Sequence, residues 1–208
     1  MPPGPRTGLH DAGAIDAGTL ARIGSPAPGA VSAAGKGSSS GAKTSHGSMA
    51  DAIVGYAAQR LGHHEPDGQC FALVDHALRE AGARSAADFG PVVPGEDYVW
   101  GTEVGLSDLT RGDVVQFRDY VYQSVVVTET SEGTRTEEWK EGRPHHSAIV
   151  ERVGENGAVT VLEQNSPDGA PVTRTTLYFR SGESEAEGRT TTITVSGTLW
   201  FYRPQPAC

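Results

Sequence analysis

The stretch Asp67-Gly68-Gln69-Cys70-Phe71-Ala72-Leu73-Val74-Asp75-His76-Ala77-Leu78 constrains this chain more than any other. Gly68 is poorly suited to a helix interior, so the helix predicted here starts at or just after it. From Cys70 onward, apolar residues fall at positions 70, 71, 74, 77, 78 and 81, the 3.6-residue spacing of a one-sided helix, and Gly82 supplies a C-terminal stop. A thiol in the first turn of that helix faces unpaired backbone N–H groups and the positive end of the helix dipole. Both favour thiolate over thiol, the condition for a nucleophilic cysteine. Two readings stand at this point: an activated thiol, or a buried structural cysteine.

The rest of the chain must choose between them. Its 208 residues, 37% of them hydrophobic, suffice for one ordinary domain plus an additional segment. The second cysteine, Cys208, ends the tail 205–208, so no disulfide framework is expected. No zinc-type Cys/His spacing is present, and neither a metal nor a cofactor is expected. Nothing approaches the roughly 18 consecutive apolar residues of a membrane helix. Met1-Pro2-Pro3-Gly4-Pro5 carries no secretory signal, which predicts a cytoplasmic protein or export by a secretion-system or other non-classical route. A formal net charge of −9 argues against nucleic acid or an anionic membrane surface as partner.

Residues 1–48 are dominated by Gly, Ala, Ser and Pro without a sustained apolar period, the pattern of a disordered leader. Of 17 basic and 26 acidic residues, this leader holds Arg6, Arg22, Lys36 and Lys43 against Asp11 and Asp16, so the acidity belongs to the folded part. A domain is expected over 49–204. Its first helix is capped by Ser48, carries an apolar stripe of Ile53, Val54, Ala57, Ala58 and Leu61, and ends at Gly62. The polar link His63-His64-Glu65-Pro66 leads into the cysteine helix. An irregular segment follows to Ser107, anchored by the Tyr98 and Trp100 rings. Residues 109–117 read as a turn feeding a strand, with 120–127 extending its β character; further strands are expected at 147–153, 158–162 and 198–202, with another candidate at 173–179, and Glu155-Asn156-Gly157 reads as a tight hairpin turn. Residues 120–142, turning at Ser131-Glu132-Gly133, read as a hairpin inserted between core strands, and 181–188 as a charged exposed loop. Helix, helix, then antiparallel meander is an α+β order.

A cysteine nucleophile needs a base within hydrogen-bond reach and a third group to orient that base. His145 and His146 stand at the start of a strand, and alternation puts His146, Ala148 and Val150 on one face and His145, Ser147 and Ile149 on the other. On the neighbouring strand Val159, Val161, Glu163 and Asn165 share a face. Alternation therefore permits a Cys–His–acid or Cys–His–amide triad without requiring one. A metal site formed by His63, His64, His145 and His146 is the less favoured use of the same histidines.

Taken together, Gly68-Gln69-Cys70 opening a helix, Leu109-x-x-Gly112-Asp113-Val114-Val115-x-Phe117, His146-Ser147-Ala148-Ile149-Val150, Val159-x-Val161-x-Glu163-x-Asn165 and the closing Trp200-Phe201-Tyr202-Arg203-Pro204 resemble the papain-like CHAP and NlpC/P60 superfamily. Pro144-His145-His146 and the Arg203-Pro204 ending look closer to the branch that includes the C-terminal papain-like domain of some fungal actin-patch proteins. The resemblance implies helices packed on an antiparallel half-barrel, with Cys70 as nucleophile and His146 as general base. It implies Glu163 as the orienting group, with Asn165 an alternative or auxiliary one. The implied activity is a cysteine peptidase or amidase acting on a peptide or peptidoglycan-like amide. A non-catalytic binding module on the same fold is the competing expectation.

Overall fold

The computed structural model describes residues 44–207, with side chains from Met49 onward. The expected leader lies outside the described residues as far as position 43. The first helix, α1 (Thr44–Ala58), begins about one turn ahead of Ser48, so the chain is helical through the residue expected to cap it. The second, α2 (Cys70–Glu80), starts at the cysteine as its pattern requires. Both helices turn their apolar stripes to one face of a single antiparallel sheet. Ile53, Val54 and Ala57 of α1 and Leu73, Val74, Ala77 and Leu78 of α2 are buried there with Trp100 and Tyr202.

The sheet is built from β1 (Thr102–Val104), β2 (Val114–Thr130), β3 (Gly133–Val153), β4 (Ala158–Glu163), β5 (Thr173–Tyr178), β6 (Gly182–Ala186) and β7 (Arg189–Arg203). Its order is β1-β7-β2-β3-β4-β5, with β6 also paired to β7. The opposite face buries Val115, Phe117, Tyr120, Ala148, Val150, Val159, Val161 and Phe201. Neither α1 nor α2 contributes a residue to that second core. The sheet buries it by curling on itself, and Phe117, Tyr120, Phe179 and Phe201 meet there at ring separations of 5.1–6.2 Å. The arrangement is the expected α+β class. Asp113, of the Leu109-to-Phe117 motif, is 1% exposed and accepts two hydrogen bonds from the Arg203 guanidinium (3.0 and 3.2 Å), which locks the first core strand to the last.

The 120–142 segment is a hairpin turning at Ser131-Glu132, and β2 and β3 run unbroken through it, pairing from Val114–Ile149 out to Thr130–Gly133. Two expectations need correcting. The charged stretch 181–188 is β6 and its turn, not a loop. The last strand runs from Arg189 rather than Thr198. The cause is shared: β-branched runs (Val125-Val126-Val127-Thr128 and Thr190-Thr191-Thr192-Ile193-Thr194) favour extended chain, and the segments supply one another with ladder partners. The outer halves of β2, β3 and β7 with β6 thus form a four-stranded arm. Its outermost strand segments, 133–140 of β3 and all of β6, are exposed.

A bend separates arm from core. Asp119 adopts φ +52, and the β2–β7 register slips between Arg118 and Val121. Pro144, which has no N–H to donate, stands opposite this bulge, where the ladder needs no bond from it. Gly197 completes the bend from β7, since a Cβ there would lie 2.3 Å from the Asp119 carbonyl oxygen. The slip has a consequence for the site. Phe117 and Tyr120, three residues apart, both enter the second core, and so their β3 partners His146 and Arg143 lie on the same side.

Candidate active site

The turn ahead of Cys70 uses two successive left-handed residues, Asp67 (φ +67) and Gly68 (φ +70). Asp tolerates this conformation because its carboxylate can bond the backbone two residues on, and Asp67 Oδ1 accepts the Gln69 N–H at 2.8 Å. Gln69 is the N-cap, in extended conformation, and makes no side-chain cap. The first-turn N–H groups of α2 are therefore left for the thiol and whatever binds beside it.

Gln164 fixes this turn against the sheet. Its side chain is fully buried, its Oε1 accepts the Glu65 N–H at 2.6 Å and its Nε2 donates to the Gln69 carbonyl at 3.1 Å. Glu65 is itself buried, with His76 Nδ1 at 2.6 Å, the Tyr56 hydroxyl at 3.1 Å and Arg60 in an ion pair. The link His63-His64-Glu65-Pro66 therefore contains a structural hub, while His63 and His64 are exposed. Among the described residues, no group of three or more His, Cys, Asp or Glu could hold a metal ion.

Cys70 and His146 come together where the β3–β4 pairing, whose first pair is Ile149–Leu162, has not yet begun. On that open stretch of β3 the Ser147 backbone N–H is free to bond the Cys70 sulfur, and the Phe71 N–H does so from the helix. His146 is 4% exposed, and Glu163 Oε2 lies 3.0 Å from its Nε2. The ring N–H is not aimed along that line, so the pair is held by charge more than by a directed hydrogen bond. With Nε2 beside Glu163, Nδ1 is the nitrogen left for the thiol.

Glu163 is fully buried and held by Arg143, 3% exposed, through a bidentate contact: Nε to Oε2 at 2.9 Å and Nη2 to Oε1 at 2.7 Å. Arg143 also reaches Glu141 at 2.7 Å. Charges alternate along the line thiol, imidazole, carboxylate, guanidinium. Burial alone would raise the thiol pKa, but the hydrogen bond and charge of His146, with the two backbone N–H groups, bring it below its ordinary value. Burial would lower the imidazole, yet Cys70 and Glu163 push it up to about 9. Burial would raise the Glu163 carboxyl, and Arg143 with His146 holds it down at about 2. These shifts favour a thiolate beside an imidazolium over the neutral pair.

The structure thus brings Cys70, His146 and Glu163 together. Asn165 is placed otherwise: at φ +65, its Oδ1 accepts the Gly169 N–H at 2.7 Å and its amide points at Gln69 Oε1, 3.5 Å away. It shapes a loop beside the thiol, and the chain leaves the strand before Asn165 could share the Glu163 face. His145 turns to the helix side, with Nε2 2.7 Å from the Glu96 carbonyl oxygen and its ring 5.7 Å from Tyr98. Arg143 is the residue that sequence reasoning missed. Strict alternation counts it onto the His145 face, and only the bulge at Asp119 returns it to the side of His146. Pro144 next to it was the available signal that alternation breaks there.

A groove of about 900 Å³ opens over Cys70, lined by Val92, Pro94 and Tyr98 of one segment and by Asp67, Asn165 and Asp168 of two others. A second hollow near Thr102 and Pro204 includes none of the residues around the cysteine.

The family model for the AIM3/BBC1 cysteine proteinase-fold domain matches residues 41–207. The chain belongs to this family. No curated protein and no solved structure matches it. The resemblance to the fungal actin-patch branch of papain-like proteins is thereby borne out. The AIM3/BBC1 match supports a cysteine proteinase fold and, with the two helices on an antiparallel sheet, the α+β class. Within this AIM3/BBC1 domain the described residues contain no helix long and apolar enough to cross a membrane.

Proposed function

We propose that this domain is a cysteine-dependent amide hydrolase, a peptidase or amidase in which Cys70 is the nucleophile, His146 the general base and acid, and Glu163 the group that orients and charges the imidazole. The observation that carries the reading is a helix-start thiol beside a buried histidine, with a buried carboxylate 3.0 Å from that histidine's Nε2. That is the geometry an activated thiol needs.

In the first half-reaction the Cys70 thiolate attacks the amide carbonyl carbon and a C–S bond forms. The oxyanion faces the unpaired N–H groups at the start of α2, which are positioned before any charge develops. The imidazolium gives its proton to the leaving nitrogen, the C–N bond breaks and the amine departs, leaving a thioester. A water then attacks, its proton goes to the neutral imidazole, and collapse releases the carboxylic acid and the thiolate. Glu163 opposes the positive ring throughout and Arg143 prevents Glu163 from taking the proton, because its carboxyl is held at about 2.

The substrate class is a peptide or N-acyl amide, with peptidoglycan stem peptides the default for the CHAP and NlpC/P60 relatives. A non-catalytic adaptor is the second reading, favoured by the exposed outer strands of the arm, which provide binding surface away from the thiol. Zymography on peptidoglycan together with a peptide-amide library, wild type against Cys70→Ala, tests the proposal. Turnover lost with the thiol supports it. Turnover that survives the substitution removes Cys70 as nucleophile, and no turnover on either substrate favours the adaptor.

A further inference from the structure

We infer that the groove over Cys70 selects amides with two unlike flanking groups: an apolar side chain on one wall, and a cation, such as a Lys or Arg side chain or a free amine, on the other. This inference rests on the hydrolase reading and names its substrate class.

The first wall is the loop carrying Val92 and Pro94, backed by Tyr98. Val92, which lines the groove, is 39% exposed, and its neighbour Val93 is 47% exposed, so this segment leaves large apolar groups in water. Tyr98 is held by Phe71 at 5.0 Å and Trp100 at 5.8 Å between ring centroids, so the backing is rigid. An apolar side chain laid there removes both partners' surface from water.

A second part of the lining is charged. Asp67 and Asp168 both face the groove and are exposed. Asp67 accepts one backbone hydrogen bond, and among the described residues neither carboxylate has an ion-pair partner. The other charged groups lining the groove are neutralised locally. Arg143 is bound by Glu163 and Glu141, His146 lies between the thiolate and Glu163, and His145 lies against the Glu96 carbonyl and 3.8 Å from Asp97. The uncompensated field in the groove is that of the two aspartates. It attracts a cation and repels an acidic side chain.

The reactivity of Cys70 toward three methanethiosulfonates, ethylammonium (cationic), sulfonatoethyl (anionic) and benzyl (apolar), reads both walls without needing turnover. Modification of Cys70 in the full chain is followed by peptide mapping and each rate is divided by that of free cysteine. The cation-to-anion ratio should be about tenfold higher in wild type than in Asp67→Asn/Asp168→Asn. Asn keeps the left-handed turn and the Gln69 hydrogen bond acceptor, so that variant should fold, and Asp168→Asn alone should show part of the effect. The benzyl reagent should outpace methyl methanethiosulfonate severalfold, and Val92→Ser should abolish that advantage. A cation-to-anion ratio unchanged by both Asp variants, or a benzyl preference unchanged by Val92→Ser, overturns the inference while leaving the hydrolase reading intact. If Cys70 reacts no faster than free cysteine with every reagent, the hydrolase reading fails instead, and the ratios still report the two walls.

Discussion

Arg143 decides the chemistry at the scale of single residues. A fully buried carboxylate beside a histidine would ordinarily be costly to keep ionised, and Glu163 stays charged because the guanidinium takes both of its oxygens. His146 is then raised by a carboxylate that is itself secured, and the thiol is lowered by a histidine that stays protonated. Removing the guanidinium leaves Glu163 buried with only His146. Arg143→Leu should therefore destabilise the fold by about 3–5 kcal/mol in urea denaturation. It should also move the pH dependence of Cys70 alkylation, because Glu163 will then share the proton of His146. Arg143→Lys restores one charge without the two-pronged contact and should recover only part of either property. A purely structural Arg143 would lower stability and leave the thiol titration in place.

At the scale of elements, the Asp119–Pro144–Gly197 bend is what sets the site. It flips the face count in β2 and β3, so that Arg143 joins His146 and Glu163 instead of pointing with His145. Gly197 is its tightest point: an added Cβ would lie 2.3 Å from Asp119 O and 2.6 Å from Tyr120 Cα, at φ +91. Gly197→Ala should cost about 3 kcal/mol in urea denaturation. Gly188→Ala, at φ +72 with its nearest neighbour 3.7 Å away, should cost only about 1 kcal/mol. Equal losses would mean that the bend tolerates a side chain. The same bend marks how far the sequence could be read. The α2 start, the Asn156-Gly157 turn, and the positions of His146 and Glu163 followed from helical spacing, turn chemistry and alternation. Arg143 did not, because alternation assumes an unbroken ladder. The arm did not, because the β-branched runs at 125–128 and 190–194 carry no local sign that they pair with each other across about 65 residues of chain. The role of Gln164 did not, because a buried amide that ties two loops together shows only once those loops are in contact.

The whole molecule divides its labour between two faces of one sheet. The helix face positions the thiol, through the buried stripes of α1 and α2 and the Gln164 tie to Gln69. The curled face positions His146 and Glu163, through the aromatic core around Phe117. The two meet only where β3 runs past the beginning of its pairing with β4, and that open stretch is where Ser147 turns its N–H to the sulfur. The central claim is that this meeting activates Cys70. The most direct test is the rate of Cys70 alkylation by iodoacetamide as a function of pH, followed by peptide mapping, in wild type and His146→Ala. Alkylation follows the thiolate, and a lowered thiol pKa means that thiolate is present at lower pH. The wild-type rate should rise at lower pH than that of free cysteine, with a second change as pH rises through about 9 and the imidazolium loses its proton. His146→Ala should shift the first rise upward and abolish the second. A wild-type profile that coincides with free cysteine, or one that His146→Ala leaves unmoved, would contradict the account.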